Sequence, residues 1–433
     1  DGGHKSVFST VIISLLSTTT LFIALTYFFS HELAATINYP ENNEYVIWFA
    51  FIVGLDAISS ISLAKLRIDN KAFKFAAINI LTIGVFVGLN FFWLWYCLPE
   101  YEAGNRNFII STFYSPNIGI GYVFLANLLA SVFKFIMLSP SFLLIKLKVN
   151  WGLLKSMLKY SGPLLIASLA IIINESADKI MLKWILLDDL GIEGATREVG
   201  IYGACYKLSI IISLFIQAFR YAAEPFFFSQ EKEKNSRDVY GTILKYFVIV
   251  LSIIFLVVTL YIDVFKYFIP REEYWVGLSV VPILLFANIF LGIFYNLSIW
   301  YKLSEKTIYG AIIASIGAII TISLNYILIG KYGYLASAWA TLICYGSMVI
   351  ISYVAGQKHY KINYPVGRIL FYLTGSAVLY SISITLNQTS TGLVKYLINT
   401  ALLLSFAGIV FVLEKPKKAI VLQATEKPKD HED

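Results

Sequence analysis

Seven ionisable side chains interrupt long apolar runs of this chain: the acids Asp56, Glu175 and Asp178 and the lysines Lys134, Lys179, Lys183 and Lys207. The densest group is Asn174, Glu175, Asp178, Lys179 and Lys183. At about 100° per residue the four charges of that group fall within an arc of roughly 140°, so one face of the helix is polar while Leu164 to Ile173 is apolar. Such residues can shield an anion, exchange ion-pair partners or titrate an acid. A charge at a bilayer centre costs at least ~2.5–3.5 kcal/mol, so each must face protein or a watery cavity. Two readings stay open. The residues neutralise one another and lock helices together, as the i,i+4 spacing of Glu175 and Lys179 invites. Alternatively they line a hydrated, cation-rich cavity for an anionic substrate, which Asp56, Lys134 and Lys207 complete. Asp56 and Lys134 are also candidates to pair with each other, and Lys207 with Asp178 or Glu175. Arg220, near a span end, either snorkels to the interface or binds a head group.

The elements that must position these groups are membrane helices. Of 433 residues, 58% are hydrophobic and only 14% charged, against about 25% charged in a soluble domain. That excludes a soluble enzyme, a disordered chain and a collagen-like repeat. A span needs ~20 mostly apolar residues. Twelve candidates run roughly over 8–30, 45–64, 73–98, 118–145, 161–186, 199–219, 243–262, 275–300, 308–329, 333–355, 367–386 and 394–414. Pro140 is expected to kink or end the fourth. The fold class is therefore all-α and polytopic.

Charge placement orients the spans. Twenty-four of the 34 basic residues fall in one alternating set of loops and six in the other. Cytoplasmic loops carry the excess, so both ends are expected in the cytoplasm. The net charge of +7 thus reports topology rather than nucleic-acid binding. The outward segments His31–Glu44, Pro99–Asn117 and Asp188–Glu198 are too short to fold as domains. Residues 416–433 read as a charged cytoplasmic tail.

Several chemistries lack their signatures. No phosphate-cradling glycine loop appears, and no metal-ligand spacing. Cys97, Cys205 and Cys344 show no pairing logic. The histidines His4, His31, His359 and His431 fall in loops or tails, which disfavours a histidine relay inside the membrane. No enzyme and no cofactor is expected. Aromatic clusters such as Phe91 to Tyr96 and Phe226 to Phe228 read as the interfacial belt. Small residues over Gly310–Ala318 and Gly333–Ala340 suit close helix packing.

The stretch Tyr160-Ser161-Gly162-Pro163-Leu164, followed by Asn174 to Lys179, resembles the seventh helix of the O-antigen and polysaccharide flippases. Val199-Gly200-Ile201-Tyr202 resembles the start of that family's eighth helix, with Glu224-Pro225-Phe226 beyond its end. Asn325 and Lys331 to Thr341 resemble the entry to its twelfth helix, with Ala336 in place of a usual glycine. The resemblance spans most of residues 8–415. It places the chain near an exporter superfamily that includes multidrug extruders and lipid II flippases. It implies fourteen helices, of which the first two would precede Asp1. It also implies two lobes around a central cavity: 1–150 as four helices of the N-lobe, 151–356 as a six-helix C-lobe, and 357–415 as a peripheral pair. The implied function is to flip a polyprenyl-diphosphate-linked oligosaccharide across the bacterial inner membrane by alternating access, with basic side chains shielding the diphosphate. Membrane lipids and other polysaccharide assembly proteins are the further partners implied. Coupling to a proton or sodium gradient would rest on Asp56, Glu175 and Asp178. A multidrug or cation antiporter of the same superfamily is the alternative. It would favour acids in the cavity, and the spans hold three acids against four lysines. A membrane polymerase or ligase, disfavoured by the short outward loops, and a non-catalytic scaffold complete the alternatives.

Overall fold

The computed structural model describes residues 2–36, 39–144, 149–231, 233, 235–388 and 392–415. The expected tail 416–433 lies outside the described residues, as do Lys146, Lys148, Lys232 and Lys234. All regular structure among the described residues is helical. Among the described residues eleven helices are long and apolar enough to cross a membrane. The longest, Trp151–Gln230, runs for 80 residues. At 1.5 Å per residue it would measure about 120 Å if straight, several bilayers thick. It reverses at Gly191, whose φ of 68° and ψ of −179° suit glycine alone. A hydrogen bond of 2.6 Å between Asp178 and Tyr202, 24 residues apart, shows the return. Two antiparallel spans result, which brings the number among the described residues to the expected twelve.

In chain order the spans are α1 (Gly2–Phe28), α2 (Asn43–Ile68), α3 (Ala72–Asn90) and α4 (Gly121–Leu138), then α5 (151–190) and α6 (192–230). There follow α7 (Ser236–Leu260), α8 (Val281–Leu297), α9 (Ile308–Tyr332), α10 (Tyr334–His359), α11 (Val366–Asn387) and α12 (Gly392–Leu413). The fourth span is shorter than its apolar run. It ends at Leu138, and Ser139–Leu144 tightens into a 3-10 turn around Pro140, which cannot donate to the helical ladder. Gly333, with φ of 55°, makes the tight corner between α9 and α10.

The chain divides into two compact units, residues 1–159 and 160–433. In the first, α2 packs on α1 and on α4, and α4 also packs on α3. A π-helical stretch, Phe91–Cys97, extends α3. Its aromatics are not only an interfacial belt. Trp95 is exposed, but Trp93 is buried, donates its indole N–H to the Phe113 carbonyl at 3.0 Å, and lies 4.9 Å from the Tyr122 ring.

In the second unit α7 is the core helix, packed on α8, α11 and α12, while α10 packs on α8 and α9. Phe247, Val248, Leu251, Phe255 and Leu256 of α7 are buried among them. Lipid supplies no hydrophobic drive between helices, so close fit must hold them. A methyl added at Gly317 would come within 2.6 Å of the Met348 sulfur, as the small-residue run predicts. Outer faces are apolar. Leu397, Leu404, Phe411 and Val412 of α12 are each more than half exposed, which suits lipid and not water.

Helices α7, α11 and α12 are fastened together at their basic-rich end by Glu414. Its carboxylate pairs with Lys245 of α7 and with Arg368 of α11 at 3.2 Å, and accepts from the Tyr372 hydroxyl at 2.8 Å. Burial raises the pKa of this carboxyl, but the Lys245 and Tyr372 hydrogen bonds and the two cations outweigh it and hold it below the usual carboxylate range. A depressed folded-state pKa contributes stability above the ordinary carboxylate value, and that contribution is lost as pH falls through the folded value. Glu414→Gln should therefore lower unfolding stability by about 2 kcal/mol at neutral pH, the scale of a hydrogen bond to a charged group. Thermal unfolding of wild type and variant in detergent should converge as the medium is acidified; a constant gap would show that the charge of Glu414 is idle.

Candidate functional site

The second unit gathers a buried polar group where α5 and α6 run side by side. Because the turn lies at Gly191, Asp178 and Tyr202 stand at nearly equal distances along the two arms. Asp178 is 1% exposed. Its Oδ2 accepts from the Tyr202 hydroxyl at 2.6 Å, and its Oδ1 from the Lys179 backbone N–H at 2.7 Å. Tyr202 is fully buried and also neighbours the Thr341 hydroxyl of α10. Thr341 donates to the Ser337 carbonyl, the Ser337 hydroxyl to Asn325 Oδ1 at 2.9 Å, and Asn325 Nδ2 to the Thr321 carbonyl. A polar chain thus crosses from α5 through α6 and α10 to α9. Every link matters where a polar group has no water to fall back on.

The next residue along α5, Lys179, does not pair with Glu175 as the i,i+4 spacing invites. Its Nζ donates to the Glu175 backbone carbonyl at 3.3 Å and stands 4.2 Å from the centroid of the Tyr206 ring. The ring, one turn beyond Tyr202 on α6, takes the cation from the carboxylate and offers a cation–π contact instead. Glu175 is half-buried, and among the described residues no ion pair within 4.0 Å joins it to Lys179. Further along α6, the Arg220 guanidinium lies 3.9 Å from the ring centroid of Tyr295 on α8. Arg220 lines a small pocket with Tyr295, Asn296, Glu224 and Lys302, and Lys302 pairs with Glu224. Arg220 is therefore engaged with an aromatic face rather than simply snorkelling.

Among the buried side chains of this unit that leave polar atoms without a protein hydrogen bond are Asn174 and Tyr345. Asn174 is 1% exposed, and neither its Oδ1 nor its Nδ2 makes a hydrogen bond; the Tyr345 hydroxyl of α10, equally buried, makes none either. An unsatisfied buried polar group costs about 1–3 kcal/mol, so these atoms mark a place where a ligand or a change of packing would be favourable.

The other expected residues fall elsewhere. Lys183 and Lys207 are exposed on the surface of the second unit. Among the described residues Lys207 makes no ion pair within 4.0 Å with Asp178 or Glu175: it is exposed, whereas Asp178 is buried. In the first unit Asp56 and Lys134 do pair, at 2.7 Å across α2 and α4. Among the described residues no group of three or more metal-type ligands is found.

A second feature shares two helices with this site. An apolar cavity of about 550 Å³ lies between α8, α10 and α11, walled by Phe290, Ile293, Leu342, Gly346, Ile350 and Leu370. Phe290 and Ile293 share α8 with Tyr295, and Leu342 and Gly346 share α10 with Tyr345. The two helices thus carry an apolar slot and a polar interior together. Tyr353, Tyr364 and Val366, near the basic-rich ends of α10 and α11, complete the slot.

Tyr202, Tyr206, Tyr295 and Tyr345 were not legible as site residues in the sequence. Their only signal was the i,i+4 spacing of Tyr202 and Tyr206 opposite a charged helix, which becomes meaningful once Gly191 fixes the hairpin.

Comparison with solved structures places this architecture. The lipid II flippase MurJ, in an inward closed conformation, superposes with a TM-score of 0.61 over 95% of this chain and 85% of its own, at 17% identity. A multidrug resistance MATE family transporter of the MOP superfamily, outward-facing, gives a TM-score of 0.64 over 86% of this chain and 80% of its own, at 14% identity. MATE in a bent conformation gives 0.62 at 15% identity, over 87% and 80%. The chain shares their fold. No family model and no curated protein matches its sequence.

Two outcomes are expected from the contacts. Tyr202→Phe strips buried Asp178 of its hydroxyl donor and should cost about 2 kcal/mol of stability, whereas Asp178→Asn keeps an acceptor for Tyr202 and should cost less. Melting curves that rank them the other way would mean Asp178 is held by something else. In the first unit, Lys134→Met alone should destabilise more than Lys134→Met with Asp56→Asn, since the single change leaves a carboxylate unpaired. Additive losses in that cycle would make the pair ornamental.

Proposed function

We propose that the chain is a flippase for a polyprenyl-diphosphate-linked oligosaccharide, an O-antigen, capsule or exopolysaccharide unit, moved across the bacterial inner membrane by alternating access. The observation that carries this reading is that α8 and α10 wall an apolar slot and also contribute to a polar interior whose cations, Lys179 and Arg220, come from α5 and α6. A prenyl chain needs the first and a diphosphate the second, so one amphipathic substrate answers both. The slot reaches Tyr353, Tyr364 and Val366 near the basic-rich end, which the positive-inside rule assigns to the cytoplasm, the leaflet in which such a substrate would be loaded. The fold shared with a lipid II flippase supports the same direction.

In this reading residues 1–150 and 151–356 are the rocking lobes, 357–415 a peripheral pair, and both chain ends lie in the cytoplasm. Lys179 and Arg220, with the exposed Lys183 and Lys207, screen the diphosphate in transit. Asp56, Glu175 and Asp178 are the groups through which a proton or sodium gradient would act. The specific observation that favours the second reading, a multidrug or cation antiporter, is charge balance. The α5–α6 interior of the second unit holds Glu175 and Asp178 against Lys179 and Arg220, so it is not cationic by count.

Complementation separates the two. The full gene is expressed in a host lacking its own O-antigen flippase but supplied with the matching glycan. Surface polysaccharide and inner-leaflet lipid-linked intermediate are both scored. Wild type should restore the polymer; Lys179→Ala should lose most of it at equal expression. Gly346→Phe, which fills the slot, should lose it as well, whereas Gly346→Ala, whose added methyl meets only Phe290 at 3.6 Å, should not. Absence of rescue together with gained dye or drug export would transfer the assignment to the antiporter.

A further inference from the structure

At the end of the second unit opposite Glu414 lies a separate cavity of about 510 Å³, lined by Asp263, Lys266, Tyr267, Asn387, Lys395 and Tyr396 among others. These residues sit where α7 and α11 finish and α12 begins, at the ends of three apolar spans. The cavity is therefore at the level of lipid head groups rather than of acyl chains. We propose that it binds the phosphodiester head group of an anionic, hydroxyl-bearing phospholipid.

The charges select the anion. Asp263 is shared by two ammonium groups: Lys395 pairs with it directly, and Lys266 Nζ lies 3.9 Å from its other oxygen. One carboxylate against two lysines leaves the cavity one positive charge in excess. Lys266 is not spent on that contact, because 3.9 Å is too long for a hydrogen bond. It makes none to protein among the described residues and stands 4.4 Å from the ring centroid of Trp275. Its N–H donors are thus available to a phosphate oxygen, in the half-buried setting where charge-assisted bonds are strongest.

The hydroxyl is selected by Asn387. Its Nδ2 donates to Asn399 Oδ1 at 3.1 Å and to the Ser383 hydroxyl at 2.9 Å. Asn399 cannot be turned over, because its own Nδ2 donates to the Leu260 carbonyl at 2.6 Å. The orientation of both amides is therefore fixed by the network, and Asn387 Oδ1 is left as a buried acceptor with no protein donor. A glycerol hydroxyl attached to the phosphate would supply that donor. A choline head group, with the same phosphate and no N–H or O–H, would not. Tyr267, which is mostly exposed, and Tyr396 frame the cavity with the amphipathic rings typical of the interface.

The test uses the full chain purified in detergent, with phosphatidylglycerol, phosphatidylethanolamine and phosphatidylcholine of identical acyl chains. Retention is read by native mass spectrometry and thermal stabilisation. Phosphatidylglycerol should bind about tenfold more tightly than phosphatidylcholine, the scale of one hydrogen bond, with phosphatidylethanolamine between them. Asn387→Leu should remove most of that preference, and Lys266→Gln should weaken retention of all three lipids. Asp263→Asn, which raises the local charge, should strengthen retention of phosphatidylglycerol, a gain that a damaged fold would not produce. Equal retention of phosphatidylglycerol and phosphatidylcholine, or an unchanged preference in Asn387→Leu, would overturn the site. Glycerol phosphate stabilising the protein as far as phosphatidylglycerol does would overturn the lipid assignment in favour of a soluble phosphate ester.

Discussion

The hydrogen bond between Asp178 and Tyr202 is the contact on which the second unit's polar interior depends. A carboxylate that is 1% exposed inside a membrane bundle must be neutralised, paired or hydrogen-bonded. It finds its partner on the next helix only because Gly191 reverses the chain in a conformation open to glycine. That reversal brings Tyr206 over Lys179 and passes the polar connection on through Thr341 and Ser337 to Asn325. A backbone freedom at one residue and a side-chain obligation at another therefore fix the same helix pair.

Much of the architecture was legible in the sequence because membrane physics leaves few choices. Apolar run length gave the number of spans, and the alternation of Lys and Arg gave which helix ends lie together. Glu414, Lys245 and Arg368, far apart in sequence, do meet at one end, as the alternation requires. Pro140 ended its helix for the anticipated reason. Within the candidate site the acids and lysines were conspicuous, since a charge in an apolar run is costly. Their partners were not. A tyrosine is ordinary in a membrane span, and nothing in its spacing distinguishes Tyr345, with an unpartnered hydroxyl, from Tyr202, which caps a carboxylate. Spacing also misjudged Lys179. An i,i+4 rule describes an isolated helix surface, and here the neighbouring helix presents an aromatic face that competes for the ammonium.

The unsatisfied groups bear on how the proposed flippase would work. Asn174 has both ends of its amide buried without protein partners, one turn from Asp178, a local cost of about 1–3 kcal/mol for each unmet group. A structural role would be served better by an apolar residue of similar size, as for buried polar groups in general. What an asparagine offers instead is a preference between two packings, one in which its amide is matched and one in which it is not. A transporter that alternates between conformations needs a small energy difference of this kind, of a few kcal/mol. Glu175 fits the same logic. It sits one residue along from Asn174, half-buried, with its carboxylate not claimed by the lysine four residues on. The polar face of α5 is thus incompletely satisfied at one level and fully satisfied at the next, where Asp178 is held. A helix built in that way is anchored at one turn and free to exchange partners at the turn beside it.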